Sequence, residues 1–366
     1  MRLISLALSG ALIAVGSFST ATASAESVSD FYKGKTITVQ IGNGPGGGYD
    51  TYARAMARNI ARHIPGKPTT IAVNMPGAGG LKSINHAYNI GARDGTLIFS
   101  LNINLPMYQA MGGRGVKYDA GKFIGLGRLT HSNELIATWH TSPVKIFADA
   151  LKKQAIIGSS GASSNSSVYP MIAVNMLGAK FKVITGYKGS SQFLLAMERG
   201  ELDGFGSMSY ASLSAGHPNY LKDNLINGLY QVGFDREKVW SDVPTLIELA
   251  PTPDEKTAMK IVAAGPAIGR SYMLLPEVPA ERVKALRAAF RAMLSDPAFL
   301  KEAKRLKMVL RPATGKEVEA IIASVLESPP QAINILHKVI LRKGLEHCEL
   351  YSKVAKCRKM KKKKDS

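Results

Sequence analysis

Two glycine-rich turns constrain the fold of this chain more than any other feature of its sequence. The first is Gly44–Asp50, and the second, about thirty residues later, is Met75–Gly80. Each turn follows a stretch with the alternation of a β-strand and precedes a stretch with the period of an α-helix. A strand that ends in glycines and leads into a helix exposes backbone N–H groups at the positive end of the helix dipole, where an anion binds. Two such turns predict a pocket for a small anion that is built from backbone groups.

The segments around the turns alternate between strand and helix. Ile37, Val39 and Ile41 fall on one face of the first segment, as in a strand. Asp50 is a candidate N-cap of the helix that follows, and Asn102, after the third strand, is expected to line the same cleft. The predicted strands are 35–41, 69–74 and 96–101, and the predicted helices are 50–63 and 81–90. This alternation predicts an α/β sheet that binds ligands beyond the carboxyl ends of its strands.

A second set of the same kind begins after about residue 129. Small and polar residues again crowd the ends of the predicted strands, in Ser159–Asn165 and in Gly186–Ser191. The predicted strands are 155–158 and 181–185, with another starting at residue 202, and the predicted helices are 168–177 and 192–199. The second half of the chain therefore repeats the arrangement of the first, in which small residues follow predicted strands and precede predicted helices.

Two apolar stripes near the end of the chain have helical spacing. They predict helices that face the core rather than helices that bind a ligand. The first stripe is Val283, Leu286, Phe290 and Met293, and the second is Val318, Ile321, Ile322, Val325 and Leu326.

The first 25 residues have the order of a secretory signal. Arg2 precedes an apolar stretch, residues 3–15, and Ala23–Ala25 is a cleavage site of small residues. The apolar stretch is shorter than the ~20 residues that a membrane span needs. Cleavage after Ala25 is therefore favoured over a membrane anchor, and the mature protein is predicted to be soluble and exported.

The positive charge of the chain is concentrated at its end. Of the formal charge of +20, residues 338–366 carry +8, because they hold eleven Lys or Arg and three acidic residues. Residues 26–337 keep +11, which either attracts anionic ligands or forms a solvated basic surface. No nucleic-acid recognition motif stands out, so no nucleic-acid partner is predicted. Cys348 and Cys357 lie in the basic tail, where a disulfide would close a small loop, and no metal-ligand spacing or cofactor motif is present.

Seven segments, in a fixed order after the signal, resemble one known family. They are Phe31–Ile37, Pro45–Asp50, Pro76–Gly80, Gly161–Asn165, Tyr187–Ser190, Gly200–Asp203 and Asp242–Thr245. Together they resemble the periplasmic solute-binding proteins of tripartite tricarboxylate transporters, the Bug or TctC family, over about residues 28–340. Each segment alone is a weak signal, whereas the ordered set is specific.

The resemblance implies an α/β protein with the two-lobed periplasmic binding protein fold of type II. Each lobe would be a sheet flanked by helices, with the ligand cleft between the lobes. The resemblance implies a first lobe from 26–127 and 238–340 and a second lobe at 128–237. The residues themselves predict a signal peptide at 1–25 and a disordered basic tail at 341–366. The implied function is not enzymatic. It is the capture of a small mono- or dicarboxylate in the periplasm, by a monomer that delivers it to membrane transporter subunits.

The family binds its carboxylate through loops that follow the first strands of each lobe. Carried over by motif, the implied contacts of the first lobe are Pro45, Gly46, Gly47, Gly48, Asp50, Pro76, Gly77, Ala78 and Gly79. Those of the second lobe are Ser160, Gly161, Ala162, Ser163, Asn165, Tyr187, Lys188 and Gly189, with Asp203 at another strand end.

Several of these residues have a structural alternative. Asp50 can cap its helix instead of holding a ligand, Ser163 and Asn165 can cap the next helix, and Lys188 can be a solvated lysine.

Two other functions stay open as alternatives. A secreted serine hydrolase would use Ser159 or Ser160, although Ala162 stands where a nucleophile elbow has glycine. A surface protein that binds polyanions would use the basic tail.

Overall fold

The computed structural model of the chain describes residues 26–340. The predicted signal segment 1–25 and the basic tail 341–366, with Cys348 and Cys357, lie outside the described residues. The predictions of signal cleavage, tail disorder and a disulfide therefore lie outside them as well. Among the described residues, no helix combines the length and apolar character that a membrane span requires.

Eleven strands within residues 26–340 form two separate sheets. In chain order the strands are β1 (Thr36–Ile41), β2 (Thr69–Asn74), β3 (Leu97–Ser100), β4 (Ile124–Arg128), β5 (Glu134–Trp139), β6 (Ala155–Gly158), β7 (Phe181–Ile184), β8 (Gly204–Ser209), β9 (Ile226–Val232), β10 (Ser271–Leu274) and β11 (Ala313–Thr314). The first sheet has the order β11-β4-β10-β3-β1-β2, and the second has the order β7-β6-β8-β5-β9.

Fifteen α-helices of the described chain surround the sheets. They are α1 (Val28–Tyr32), α2 (Gly48–Ile60), α3 (Leu81–Ile90), α4 (Leu105–Ala110), α5 (Phe147–Ala150), α6 (Asn165–Leu177), α7 (Ser190–Glu198), α8 (Tyr210–Gly216), α9 (Pro218–Lys222), α10 (Leu246–Leu249), α11 (Pro253–Ile268), α12 (Ala280–Leu294), α13 (Pro297–Arg305), α14 (Gly315–Leu326) and α15 (Pro330–Ile340). The helices predicted after the two glycine turns and after the serine-rich turn are α2, α3 and α6.

Parallel pairing places the functional loops at one edge of each sheet. In the first sheet β1 runs parallel to β2 and β3, and in the second β6 runs parallel to β7 and β8. The loops that leave these strands therefore lie side by side at their carboxyl ends, where open α/β sheets bind ligands. β5 and β10 run antiparallel to their neighbours, so each begins or ends beside these loops.

The predicted core positions are buried. Ile37, Val39 and Ile41 are fully buried on one face of β1, which confirms the alternation seen in the sequence. The stripe on α12 is also buried, with Leu286 and Met293 fully enclosed. On α14 the most buried members of the stripe are Val318, Ile322 and Val325. Burial of these apolar faces stabilises the fold at about 25 cal/mol per Å² removed from water.

The chain passes from the first sheet to the second between β4 and β5, and returns between β9 and β10. After the return, α11 and α15 share a hydrophobic cluster with α6 and β9 of the second sheet. The segment predicted to complete the first lobe thus packs against both sheets. The lobe boundaries stay a prediction.

Candidate functional site

A cavity of about 40 Å³ lies between the two sheets, at the carboxyl ends of β1, β6 and β8. This volume holds about three water molecules, so the cleft between the sheets is closed and a larger ligand requires it to open. Loops from both sheets contribute to its wall. The lining residues are Asn43, Gly44, Gly47, Gly48, Tyr49, Glu134, Ser160, Asn165, Ser166, Ser190, Phe193, Ser207, Met208, Ser209, Ser212 and Arg270.

The first glycine turn forms the wall on the side of the first sheet. Gly44, Gly47 and Gly48 line the cavity, and α2 begins at Gly48. The opposite wall lies directly against this turn, because a Cβ on Gly48 would stand 1.9 Å from Oγ of Ser212, which follows β8. The turn therefore brings bare backbone to the cavity. Asn43, just before it, also lines the cavity, and its buried Oδ1 has no hydrogen-bond partner among the described residues.

Asp50 holds the first turn rather than lining the cavity. Its carboxylate accepts hydrogen bonds from Gly46 N (3.0 Å), Arg54 Nε (2.9 Å) and Asn74 Nδ2 (2.8 Å). Burial raises the pKa of Asp50, but these bonds outweigh burial and the net shift is downward. Its carboxylate oxygens are thus satisfied without a ligand, but the prediction of Asp50 as N-cap is wrong, because Gly47 is the N-cap of α2 and Asp50 is the third residue of the helix.

The second glycine turn packs against its neighbours instead of facing the cavity. Gly79 O accepts from Asn102 Nδ2 (3.2 Å), and a Cβ on Gly80 would lie 2.6 Å from Asn102 Cγ. Ala78 O accepts from Ser163 Oγ across the cleft. Gly77 is exposed. Pro76, Gly77, Ala78, Gly79 and Asn102, predicted as ligand contacts, are therefore outside the cavity wall.

The serine-rich turn after β6 forms part of the opposite wall. Ser160 and Asn165 line the cavity. Asn165 Nδ2 donates to Oε2 of Glu134 (3.0 Å) and to Oγ of Ser207 (2.9 Å), so a polar network runs along this wall. The Ser160 amide donates to Ser166 Oγ (3.2 Å).

The middle of this turn points away from the cavity. Gly161 O accepts from the amide of Ser164 (2.9 Å), Ala162 is exposed, and Ser163 bonds across the cleft to the second glycine turn. A Cβ on Gly161 would lie 2.8 Å from Gly79 N, so this contact needs glycine at position 161. None of these three residues lines the cavity, and Gly161 and Ser163 contact the second glycine turn across the cleft.

Ser159, a candidate nucleophile of the hydrolase alternative, is fully buried within a cluster of serines. Its Oγ bonds to the hydroxyls of Ser164 (3.3 Å), Ser166 (3.0 Å) and Ser167 (2.5 Å). A nucleophilic serine needs an adjacent general base, and serine hydroxyls do not supply one. Ser160 bonds to Ser166 as well, so neither serine has the setting of a nucleophile.

The Tyr187–Gly189 segment reaches the first glycine turn through its backbone. Lys188 O accepts from Gly44 N (3.0 Å), while the side chain of Lys188 is exposed. A Cβ on Gly189 would lie 3.3 Å from Gly44 N, and the Tyr187 ring packs edge-on against Phe193. Next in the chain, Ser191 Oγ donates to Pro45 O (3.0 Å). The predicted lysine–ligand contact is thus replaced by a backbone contact between the two loops.

Asp203 is a correction to the predicted set. It precedes β8, and its carboxylate accepts from Ile156 N (2.7 Å) near the start of β6. The cavity lies at the other ends of these two strands. Asp203 therefore lies at the amino ends, away from the cavity, and is no longer proposed as a ligand contact.

Three helices of eight or more residues begin at the cavity. They are α2, α6 and α7, whose first residues Gly48, Asn165 and Ser190 all line it. The first N–H groups of a helix have no partner within the helix, and the dipole makes that end positive. The three helix ends together give the cavity a positive potential and a set of backbone donors.

Two buried charged residues of the site were missed by the sequence analysis. Arg270 and Glu134 line the cavity, with side chains 6% and 3% exposed, and Arg270 Nη1 is 3.8 Å from Glu134 Oε1. Arg270 also stacks over the Tyr49 ring, 4.1 Å from its centroid, and burial raises the pKa of Tyr49. Both charged residues occur where the chain crosses between the sheets, and neither belongs to a motif that the sequence marks.

A larger groove of about 1240 Å³ lies elsewhere, between α12 and α14 at the β4–β11 edge of the first sheet. None of the predicted ligand contacts, all of which are within residues 26–340, lines this groove. Its charged lining residues include Arg287 and Glu319, which pair with each other at 2.6 Å, and also Lys284 and Arg291.

Comparisons with known proteins identify the fold. No protein-family model matches the chain, and no curated protein matches it significantly. Solved structures do match. A TctC solute binding protein from Polaromonas is 23% identical, with a TM-score of 0.52 over 81% of this chain and 96% of that chain. The periplasmic binding protein BugD is 16% identical, with a TM-score of 0.65 over 84% and 98%.

A third structure was solved with a ligand. MatC from Rhodopseudomonas palustris, with bound malate, is 17% identical, with a TM-score of 0.61 over 84% of this chain and 99% of that chain. The chain has the two-lobed periplasmic binding protein fold. This confirms the predicted fold class, and it makes the closed cavity between the sheets the interlobe cleft of that fold.

Proposed function

We propose that this protein is an extracytoplasmic solute-binding protein for a small organic anion, a mono- or dicarboxylate. It captures the anion in the interlobe cleft as a monomer and delivers it to a tripartite tricarboxylate-type membrane transporter. It acts by binding and not by catalysis. The signal-like sequence of residues 1–25 supports a periplasmic location.

One observation carries the proposal: donors from both sides of the cleft converge on a single cavity. The N-termini of α2, α6 and α7 supply backbone N–H groups. Arg270 adds a buried guanidinium whose Nε has no hydrogen-bond partner within the described chain. A carboxylate accepts such bonds through both of its oxygens and is held more strongly than a neutral acceptor. This donor set suits a carboxylate whatever carbon skeleton follows it.

The comparisons support the same reading. BugD and MatC share the fold over nearly their whole length, and MatC was solved with malate, a dicarboxylate. The small cavity here favours ligands of few atoms. The partners and ligand of this chain are proposed on that basis.

Closure of the cleft supplies the mechanism. Hydrogen bonds from Gly44 to Lys188, from Ser191 to Pro45 and from Arg270 to Ser209 hold the two sides together. A ligand that contacts both walls stabilises this closed form only by its higher affinity for it than for the open form. The closed shape then presents the loaded protein to a transporter.

A thermal-shift screen tests the proposal. We expect at least one small carboxylate from a panel of mono- and dicarboxylates to raise the melting temperature, because a ligand at 100 times its Kd stabilises the native state by about 2.7 kcal/mol. Diamines of the same length serve as controls and should give no shift. A flat response across the whole panel, or a shift with diamines alone, would overturn the proposal.

Delivery to a transporter needs a separate test. If a carboxylate binds, disruption of the gene should abolish its high-affinity uptake by the host. Unchanged uptake would remove the transport part of the proposal and leave the binding part.

A further inference from the structure

The groove between α12 and α14 exists because the strand at that edge of the first sheet is short. β11 has two residues, which pair with Gly127 and Arg128 of β4, so Ile124–Leu126 have no strand on that side within the described chain. The two helices wall the open space that remains. Its volume of about 1240 Å³ exceeds the roughly 300–1,000 Å³ of an ordinary small-molecule pocket. The groove therefore has room for a long chain as well as a polar head group.

The floor and walls of the groove are mainly apolar. The apolar residues that line it include Ile124, Leu126, Phe290, Leu294 and Ala320. The backbone of β4 is already bonded there, since Gly125 N donates to Glu319 Oε1 (2.8 Å) and Gly125 O accepts from Arg287 Nε (2.8 Å). An added peptide strand needs free backbone groups of this kind, whereas an alkyl chain needs none. The open edge of β4 at Gly125 thus suits an alkyl chain better than a peptide strand.

Both acidic residues of the groove are bonded to residues of its own walls. Glu319 pairs with Arg287 (2.6 Å) and with Lys316 (2.8 Å). Glu317 lies in the first turn of α14, where its Oε2 accepts from the amide and from the hydroxyl of Thr314, each at 2.7 Å. These two carboxylates therefore stabilise the walls of the groove.

Two cations of the groove have no such partner. Lys284 and Arg291 are exposed on α12, and within residues 26–340 neither makes an ion pair or a side-chain hydrogen bond. They are seven residues apart, about two turns or ~10 Å along the helix. The 15 residues of α12 extend over ~21 Å. The groove thus combines an apolar floor with uncompensated positive charge along one long wall.

This charge distinguishes among the possible occupants. A second copy of the chain, related by a two-fold axis, would bring Lys284 and Arg291 of both copies close together. The end of this chain is unsuitable for the same reason, because residues 338–366 carry a formal charge of +8. Each would add positive charge to a positive wall. An anionic occupant with a long apolar part fits the groove better than either.

We propose that the groove between α12 and α14 binds a long-chain anionic amphiphile, a free fatty acid. The alkyl chain lies along the apolar floor, and the carboxylate pairs with Lys284 or Arg291 at the solvent-facing wall. Burial of each methylene adds to the affinity. The groove is lined from the first sheet and its helices, and it shares no lining residue with the interlobe cavity. This site is therefore additional to the proposed function and does not depend on it.

Isothermal titration with a chain-length series tests the inference. The probes are octanoate, decanoate and dodecanoate, each kept below its micelle-forming concentration. We expect the affinity to rise by at least about 5-fold for each two methylenes added. Dodecylamine, which has the chain of dodecanoate and the opposite charge, should bind at least 10-fold more weakly than dodecanoate. Equal affinity along the series, or equal or tighter binding of the amine, would overturn the inference.

Two sets of variants locate the site. Lys284→Glu combined with Arg291→Glu should weaken dodecanoate by at least 10-fold. The matched control is Lys256→Glu combined with Lys260→Glu, which makes the same change of charge at exposed positions of α11 outside the groove. It should bind dodecanoate within about 3-fold of the wild type. Ala320→Trp fills the groove from an exposed position of α14 and should also cost at least 10-fold.

The variants also distinguish this site from other modes of binding. An equal loss of affinity in the groove variant and the α11 control would show that overall charge, and not the groove, attracts the fatty acid, and would overturn the inference. So would wild-type affinity in Ala320→Trp, whose folding circular dichroism checks. Sedimentation with phosphatidylglycerol vesicles tests a membrane surface as the occupant. Binding to vesicles without binding of dodecanoate would overturn the inference as well.

Discussion

The two glycine turns look alike in the sequence and have different roles in the structure. Both follow a strand of the first sheet and both lead into a helix. Gly48 of the first turn faces the cavity, and an added Cβ would meet Ser212 of the opposite wall. Gly80 of the second turn has φ of 97°, and an added Cβ would meet Asn102 after β3 of its own sheet.

The difference shows that one glycine allows the cleft to close, whereas the other allows its own side of the protein to fold. The contact between Gly48 and Ser212 joins opposite sides of the cleft, so opening of the cleft relieves a clash there. The contact between Gly80 and Asn102 is within one side, so no opening relieves it, and the left-handed backbone of Gly80 disfavours any other residue. Substitutions at the two positions should therefore separate ligand binding from stability.

The largest effect is expected for Gly48→Ala. The added Cβ prevents closure, and affinity for the best carboxylate should fall by at least about 100-fold, or about 2.7 kcal/mol. The backbone at Gly48 is helical, so the unliganded protein should keep its free energy of unfolding to within about 1 kcal/mol. Titration calorimetry and urea unfolding measure the two quantities. Wild-type affinity in this variant would contradict the role given to the first turn.

Gly80→Ala should show the reverse pattern. Because alanine is strained at this φ and clashes with Asn102, we expect a loss of about 2 kcal/mol in the free energy of unfolding. The affinity of the folded protein should change by less than about 3-fold. A 100-fold loss of affinity with unchanged stability would show that the second turn also contacts the ligand.

Ser163→Ala tests a bond that the second turn makes across the cleft. Ser163 Oγ donates to Ala78 O, and loss of such a bond costs about 1 kcal/mol. Because the bond helps the closed form, we expect affinity to fall by about 5-fold with little change in unliganded stability. The matched control is Ser324→Ala, which removes an exposed serine bond on α14. Equal affinities of the two variants would show that this bond does not contribute to closure.

The smallest effect is expected at Glu248, which lies on α10 and does not line the cavity. Hydrogen bonds from Arg236 and from the Thr245 amide lower the pKa of Glu248 to about 2. A carboxylate with a lowered pKa contributes stability above its unfolded pKa of about 4.3 and loses it as the pH falls towards 2. Between pH 5 and pH 3, the free energy of unfolding of Glu248→Gln should therefore decrease slightly less than that of the wild type. If the free energy of unfolding depends on pH equally in the variant and the wild type, Glu248 does not contribute to stability in this way. Ligand affinity at pH 7 should not change in either case.

The sequence predicted the elements and the general place of the cleft. Periodicity located β1 and α2 because one face of each is buried, with Ile37 and Ile41 fully enclosed. The turns at strand ends followed from glycine and serine runs, and Gly47, Gly48, Ser160 and Asn165 do line the cavity. Local pattern suffices for these features because each depends on neighbouring residues.

The charged residues of the cavity could not be predicted in this way. Arg270 and Glu134 are far apart in the chain and meet only because the two sheets close on each other. Asp203 was misplaced because its motif precedes a strand, whereas the cavity lies beyond the strand ends. Composition also gave no means to tell the cavity-facing Gly48 from the packed Gly80, since both are glycines that follow strands.

The most direct test is a crystal structure of the protein with the small carboxylate that binds it best. We expect a carboxylate oxygen within hydrogen-bond distance of the backbone amides at Gly47 or Gly48 and of Arg270, with the cleft closed over it. A ligand seated instead against Gly77–Gly80, or in the groove between α12 and α14, would contradict the assignment of the first glycine turn as the carboxylate site.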